Sequence, residues 1–247
     1  MIITNRMTQS NNLSIVFDTE TTGLLPKVKF QEDWEAVDIS IFPYILQLSF
    51  ITIVDDTQTI VTIHDALLKI PDDVIINPFV TKIHGITNEL INKRGKCVET
   101  EIDNVMTNII SAKRIIGHNI EFDINMLLIT IVRLAHKYKG IDEDESYKWI
   151  QYYSILYGTW RNKCICTMFS TIKLCNIWKQ RTNSTAWFLK YPKLSELHSH
   201  LFGEEVERLH NSLIDVFVCL RCYYYLEYNV DLKLTNKTLR ELYKLIH

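Results

Sequence analysis

The sequence predicts an α/β domain, and three observations carry that prediction. Three β-rich runs come first, at Leu13–Asp18, Tyr44–Val54 and Thr57–Ile63. Two later short runs, Arg114–Gly117 and Cys164–Thr167, alternate with helical segments. Those segments repeat apolar residues at helical rather than strand spacing. Asp55-Asp56 between the second and third runs is a hairpin signature, so the first three strands should be antiparallel in succession.

The elements follow in order. Residues 25–42 hold Pro26, two lysines and several acids without periodicity, and read as a loop. Asn77-Pro78 opens a short helix through Ile83, and Thr87 caps another through Asn92. Between Glu99 and Ala112, Ile102, Val105, Met106, Ile109 and Ile110 form one apolar face. After the strand at 114–117, Gly117-His118-Asn119 breaks the chain into a helix that carries Phe122, Met126, Leu127, Ile129 and Leu134 to about Tyr138. From 139 to 161 the periodicity fails, and acids at 142–145 give way to Tyr147, Trp149, Tyr152, Tyr153, Tyr157 and Trp160. This stretch, extended to 139–163, reads as an aromatic-rich insertion that covers a core edge. A helix to about Ile177, a polar loop at 179–186, a helix at 193–201 closed by Gly203, a long helix at 212–228 and a C-terminal helix at 235–246 complete the chain. With no repeat, low-complexity tract or linker, residues 1–247 read as one domain.

A hydrophobic share of 47% and a charged share of 23% are those of a globular protein. No run nears the ~20 apolar residues that span a bilayer, and residues 1–12 lack the apolar core of a signal peptide. The expectation is an intracellular protein, in cytoplasm or nucleus or as a viral protein in a host cell, neither secreted nor in a membrane. A formal charge of −2 argues against wrapping duplex DNA by bulk electrostatics, but leaves room for a local groove that holds a few nucleotides. Cys164-x-Cys166 and Cys219-x-x-Cys222 suggest zinc. The first spacing is too tight for a usual knuckle and the second lies inside a helix, so buried free thiols are the better reading.

The chemistry gathers around Phe17-Asp18-Thr19-Glu20-Thr21-Thr22-Gly23-Leu24. On a strand, residues i and i+2 face the same way, so Asp18 and Glu20 sit side by side. Two such anions stay ionised together when a cation joins them, and hard oxygen ligands suit Mg²⁺ or Mn²⁺. The plain alternative is a solvated polar turn. Asp123 and Asp215 each fall in the first turn of a helix, where the dipole favours an acid whatever its role. His210 precedes Asp215 by five residues, ~140° around a continuous helix. Were Asn211 the N-cap, His210 would lie outside the helix and be free to swing over the acid as a general base. His118 reads as structural.

Taken together, Phe-Asp-Thr-Glu-Thr-Thr-Gly-Leu (17–24), Gly-His-Asn-x-x-Phe-Asp (117–123) and His-Asn-x-x-x-Asp (210–215) resemble the three motifs of the DnaQ-like DEDDh 3′–5′ exonucleases, the family of polymerase III epsilon subunits and TREX enzymes. His84-Gly85-Ile86-Thr87 and Leu46-Gln47-Leu48 resemble further segments of epsilon-type members. The similarity spans roughly residues 13–228, and departs from the pattern at Ser212, where the family usually has Ala.

The resemblance implies an RNase H-like fold, a mixed five-stranded sheet flanked by helices. It implies two divalent ions, Mg²⁺ or Mn²⁺, held by Asp18, Glu20, Asp123 and Asp215, with His210 deprotonating the attacking water. The implied substrate is single-stranded DNA or a DNA 3′ end, with nucleoside 5′-monophosphates as products. Thr21, Gly23 and Leu24 would anchor the terminal nucleotide, with Asn119 and Phe122 lining the same pocket. Lys27, Lys29, Lys163, Lys179 and Arg181 are candidate phosphate contacts. The rival readings are an exoribonuclease of the same family, and an RNase H-like module with a vestigial site that docks on a polymerase or helicase through the C-terminal helix.

Overall fold

The computed structural model describes residues 12–27, 38–206 and 209–244. Strands β1 (Leu13–Thr21), β2 (Ile45–Val54) and β3 (Thr59–Leu67) come first. Helices α1 (Pro78–His84), α2 (Asn88–Arg94) and α3 (Val98–Ser111) follow, then β4 (Arg114–Gly117), α4 (Ile120–Tyr138), α5 (Glu143–Lys163) and β5 (Cys164–Cys166). Next are α6 (Thr167–Ser170), α7 (Ile172–Cys175), a hairpin of β6 (Trp178–Gln180) and β7 (Trp187–Leu189), and α8 (Leu194–Phe202). The described chain closes with α9 (Ser212–Tyr228), α10 (Leu232–Thr235) and α11 (Lys237–Tyr243).

The main sheet has five strands in the order β3-β2-β1-β4-β5. β1 pairs antiparallel with β2 and β2 with β3, whereas β4 and β5 run parallel to β1. This is the mixed α/β sheet expected, with the three antiparallel strands first.

Strand parity sorts the core into two layers. Ile15 and Phe17 of β1 pack with Ile115 and with Met106 and Leu127 of α3 and α4 on one face. Val16, Ile51 and Ile116 pack with Val216 and Leu220 of α9 on the other. Because side chains alternate, Asp18 and Glu20 point to the α9 side, like Val16, and Thr19 points to the α4 side, like Phe17.

Several expectations need correction. Residues 143–163 form a 21-residue helix rather than irregular chain. Asp142 caps it by accepting from the Glu145 N–H, and Trp149, Tyr153 and Leu156 are buried in the α4 layer. Their spacing of four and three residues is a helical face built from aromatics. The polar loop at 179–186 is the turn of the β6–β7 hairpin, which also takes in Lys179 and Gln180. The segment to Ile177 breaks into two short helices at Thr171. In place of one helix at 235–246, α10 and α11 meet at Asn236, whose side chain caps the second, and residues 245–246 lie outside the described ones. Leu239 and Tyr243 are buried, so α11 packs on the protein's own core.

Candidate active site

Four carboxylates converge at the C-terminal end of β1. Asp18 and Glu20 stand at the end of the strand, opposite Ser49 and Gln47 of β2. Asp123 arrives from the other layer. Gly117 ends β4, and a Cβ there would meet Ile120 Cδ1 at 2.6 Å, so a side chain at this position would push Ile120 at the start of α4 aside. Asn119 makes the turn in the left-handed region (φ 69°), which asparagine tolerates. Asp123 Oδ1 then accepts from the Thr19 N–H at 3.0 Å and the Thr19 hydroxyl at 2.7 Å. The residue between the two β1 acids thus holds the third one in place.

Asp215 is placed by the start of α9. Asn211 is the N-cap, as expected, its side chain accepting from the Ile214 N–H. Strand β2 fixes this end: the Ser212 N–H reaches Gln47 Oε1, and the Ser49 and Ser212 hydroxyls meet at 2.5 Å. Ser212 is fully buried in that contact. His210 sits outside the helix with φ 74°, and its N–H donates to Asp215 Oδ2 at 3.1 Å. The left-handed turn folds the histidine back over the acid, a conformation a non-glycine residue holds at some energetic cost.

Electrostatics sets these residues apart. Burial, reinforced by Asp123, Asp215 and Glu20, raises the Asp18 carboxyl well above its ordinary value. Burial, then the charges of Asp215 and Asp123, pushes Glu20 up to about 8. Burial also raises Asp123 and Asp215, against the hydrogen bonds each accepts. Asp215 Oδ1 is buried with no protein partner. Ligand atoms of Glu20, His210 and Asp215 lie within 4.8 Å of one another. Repelling carboxylates of this kind, with an orphaned acceptor among them, fit a hard divalent cation.

A cleft of about 450 Å³ opens onto the cluster. Asp18, Glu20, His210 and Asp215 line it, together with His118, Asn119, Lys193 and Ser195. His118 is structural, as expected. It bridges Thr167 Oγ1 at 2.9 Å and the Pro192 carbonyl at 3.0 Å, which ties β4 to the wall that carries Lys193. Burial lowers its pKa to about 4, so the ring is neutral.

The remaining expected residues divide. Thr21 is buried, and its hydroxyl donates to the Gly23 carbonyl at 2.7 Å. A Cβ at Gly23 would touch nothing within 4 Å, so the packing does not demand glycine there. Leu24 is 87% exposed. Asn119 borders the cleft, whereas Phe122, in the first turn of α4, packs against the core and is not among the residues that line it. Lys163 is corrected: its ammonium donates to the Ala112 and Ile110 carbonyls at the end of α3, a helix-closing role. Lys27, Lys179 and Arg181 are exposed, and Lys29 lies outside the described residues. All six cysteines are unbridged, and Cys219 and Cys222 are buried in α9.

Sequence reasoning missed the supports of the 21–24 turn. Thr22 and Tyr44 exchange two hydrogen bonds, the Thr22 N–H to the Tyr44 carbonyl and the Tyr44 N–H to the Thr22 hydroxyl, each 2.9 Å. Arg133 of α4 lies 3.8 Å over the Tyr44 ring and donates to the Ile39, Phe42 and Pro43 carbonyls. His84 comes close enough to Thr21 and His210 for both to influence it, while burial chiefly lowers its pKa. The His84-Gly85-Ile86-Thr87 segment therefore abuts the cleft.

The family model described as RNase_T, exonuclease, matches residues 15–148, more than half of the chain. The chain belongs to this exonuclease family. Its sheet and flanking helices are the RNase H-like exonuclease fold, which solved structures share. E. coli exonuclease I in complex with a dT13 oligonucleotide superposes with a TM-score of 0.55 at 16% identity, over 95% of this chain and 43% of that one. An apo exonuclease I structure gives 0.56 at 15% identity, over 94% and 44%. A zinc-bound complex of E. coli exonuclease I with single-stranded DNA gives 0.54 at 15% identity, over 94% and 42%. The chain spans less than half the length of those proteins. No curated protein matches the sequence. Among the described residues, no helix is long and apolar enough to cross a membrane.

Proposed function

We propose that this protein is a metal-dependent exonuclease that removes nucleoside 5′-monophosphates from the 3′ end of DNA, single-stranded DNA before all. The convergence of Asp18, Glu20 and Asp215 on one cleft, with buried Asp123 close beside Asp18 and His210 folded over Asp215, is the observation that carries the proposal. The DNA oligonucleotides in the exonuclease I structures that share the fold support the choice of substrate.

Asp18, Glu20, Asp123 and Asp215 are the residues that would hold two divalent ions, Mg²⁺ or Mn²⁺. Such ions, when bound, act as Lewis acids toward a phosphate and its attacking water. The protein's own groups do the rest. His210, exposed at the mouth of the cleft, takes the proton of the water that attacks the terminal phosphodiester. Its backbone N–H, fixed on Asp215, keeps base and acid in register. Thr19 holds Asp123 in one orientation through two donors. The turn at Thr21, Gly23 and Leu24, braced by Tyr44, receives the terminal nucleotide: open backbone at Gly23 lets the chain approach and exposed Leu24 packs against the base. Asn119 borders the same subsite from the α4 side.

The test is a cleavage assay on 5′-labelled single-stranded DNA, duplex DNA and RNA of one sequence, with Mg²⁺, Mn²⁺ or EDTA, beside Asp18→Ala. The expected result is a ladder that shortens from the 3′ end only with metal and is lost in the variant, fastest on single-stranded DNA. Faster cleavage of RNA would replace the substrate assignment. Intact substrates in every condition would overturn the enzyme reading.

A further inference from the structure

The β6–β7 hairpin has no role in the chemistry above, and its surface is unusual. Residues 178–188 are exposed without a break, yet they include Trp178, Trp187 and Phe188. The two indoles are 53% and 60% exposed. The register pairs Trp178 with Leu189 and Gln180 with Trp187, so the two tryptophans lie diagonally on the same face. Lys179 lies on the opposite face, and Arg181 reaches over Phe188 at 5.9 Å. From Trp178 to Leu189 the sequence has Lys179 and Arg181 and not one Asp or Glu, in a chain whose net charge is −2, whereas Lys190 just beyond is ion-paired with Glu196.

Its place in the chain links this surface to the catalytic cleft. After Leu189 the chain passes Tyr191 and Pro192, whose carbonyl is bound by His118, and arrives at Lys193 in the cleft wall. Four residues span at most about 14 Å, so the base of the hairpin stands close beside the cleft. Large exposed aromatics joined to cations without acids fit a flexible polyanion with stackable faces, whereas a protein-docking patch has no need to exclude acids.

We propose that the β6–β7 hairpin is a single-strand platform, on which Trp178 and Trp187 stack bases upstream of the nucleotide in the cleft while Lys179 and Arg181, on the other face of this thin exposed hairpin, attract the phosphate backbone electrostatically. The proposal rests on the nuclease reading for the direction of the strand, but its binding step is independent of cleavage.

The test measures binding of 5′-labelled dT12 and dT2 by fluorescence anisotropy in EDTA, together with cleavage of both in Mg²⁺. Trp178→Ala and Trp187→Ala should each weaken dT12 binding about tenfold and leave cleavage of dT2 near wild type. Trp178→Phe and Trp187→Phe should restore most of the affinity, which a simple loss of the hairpin's fold would not allow. Lys179→Ala with Arg181→Ala should lower the slope of log Kd against log salt by about 0.7 for each charge removed. Unchanged dT12 affinity in the alanine variants, whether or not the hairpin holds a protein instead, would overturn the proposal. If wild type cleaves nothing and still binds dT12 through the tryptophans, the platform stands and the enzyme reading falls.

Discussion

The crowded carboxylates should make the metal-free protein less stable than the same protein with one charge removed. Glu20→Gln is the cleanest case, because the amide has the size of the carboxyl and no charge. Burial, with Asp215 and Asp123, raises the folded Glu20 carboxyl from 4.5 to about 8. Between those pH values the folded state keeps a proton that the unfolded state has released. Stability of the metal-free protein therefore falls as pH rises through this window, and at pH 9 the charge costs at most about 5 kcal/mol. The buried amide keeps part of the desolvation cost, so the net gain in Glu20→Gln should be about 2–3 kcal/mol at pH 9 and near zero at pH 4. For a chain of this length that raises Tm by about 5–10 °C. Thermal unfolding in EDTA at pH 4 and pH 9 measures it directly. Added Mg²⁺ or Mn²⁺ should stabilise wild type at the higher pH and the variant much less, by mass action on the folded state. The variant should also lose nuclease activity, the trade of stability for function expected of such a site. Equal Tm changes at the two pH values, or a variant less stable at pH 9, would refute the reasoning.

Other perturbations separate positioning from packing. Thr19→Val removes the hydroxyl that donates to Asp123 at 2.7 Å, and should cost about 1–2 kcal/mol in urea unfolding while kcat falls more than KM changes. Arg221 is buried beside Phe202 and donates to Asp231, Glu204 and His198. Arg221→Met leaves Asp231 without its ion partner, while Glu204 keeps Lys233 at 2.8 Å, so urea unfolding should show a loss of about 3 kcal/mol. Leu24→Ala should leave Tm within about 1 °C, since the side chain is 87% exposed, yet raise KM for oligonucleotides several-fold in steady-state assays.

Much of this site is local information. Asp18 and Glu20 share a face because a strand has period two, and Asn211 caps α9 because an Asx side chain meets orphan N–H groups wherever a helix starts. The same economy makes His210 fall outside the helix. Helix α5 was open to view as well, since Trp149, Tyr153, Leu156 and Trp160 keep helical spacing. The acids before them obscured it, although they are the residues that favour a helix N-terminus. The β6–β7 strands span three residues each and bury almost nothing, so no contrast of inside and outside marks them in the sequence. Lys163 shows the opposite failure: a lysine carries the same charge whether it meets a phosphate or closes α3, and only its neighbours decide.

Sequence alone carried the α/β class, the order of the five sheet strands, and the residue types that can hold a cation and move a proton, because periodicity, capping and side-chain chemistry act over a few neighbours. Tertiary structure alone decided that Asp123 would be held by Thr19, that Ser212 would lock α9 onto Ser49, and that Asp55 of the β2–β3 turn would join Ser14, Arg114 and Tyr224. These contacts link residues distant along the chain, and each forms only when the two layers close on the sheet. The raised carboxyls have the same origin, since burial, the leading cause in every one, exists only after the chain has packed.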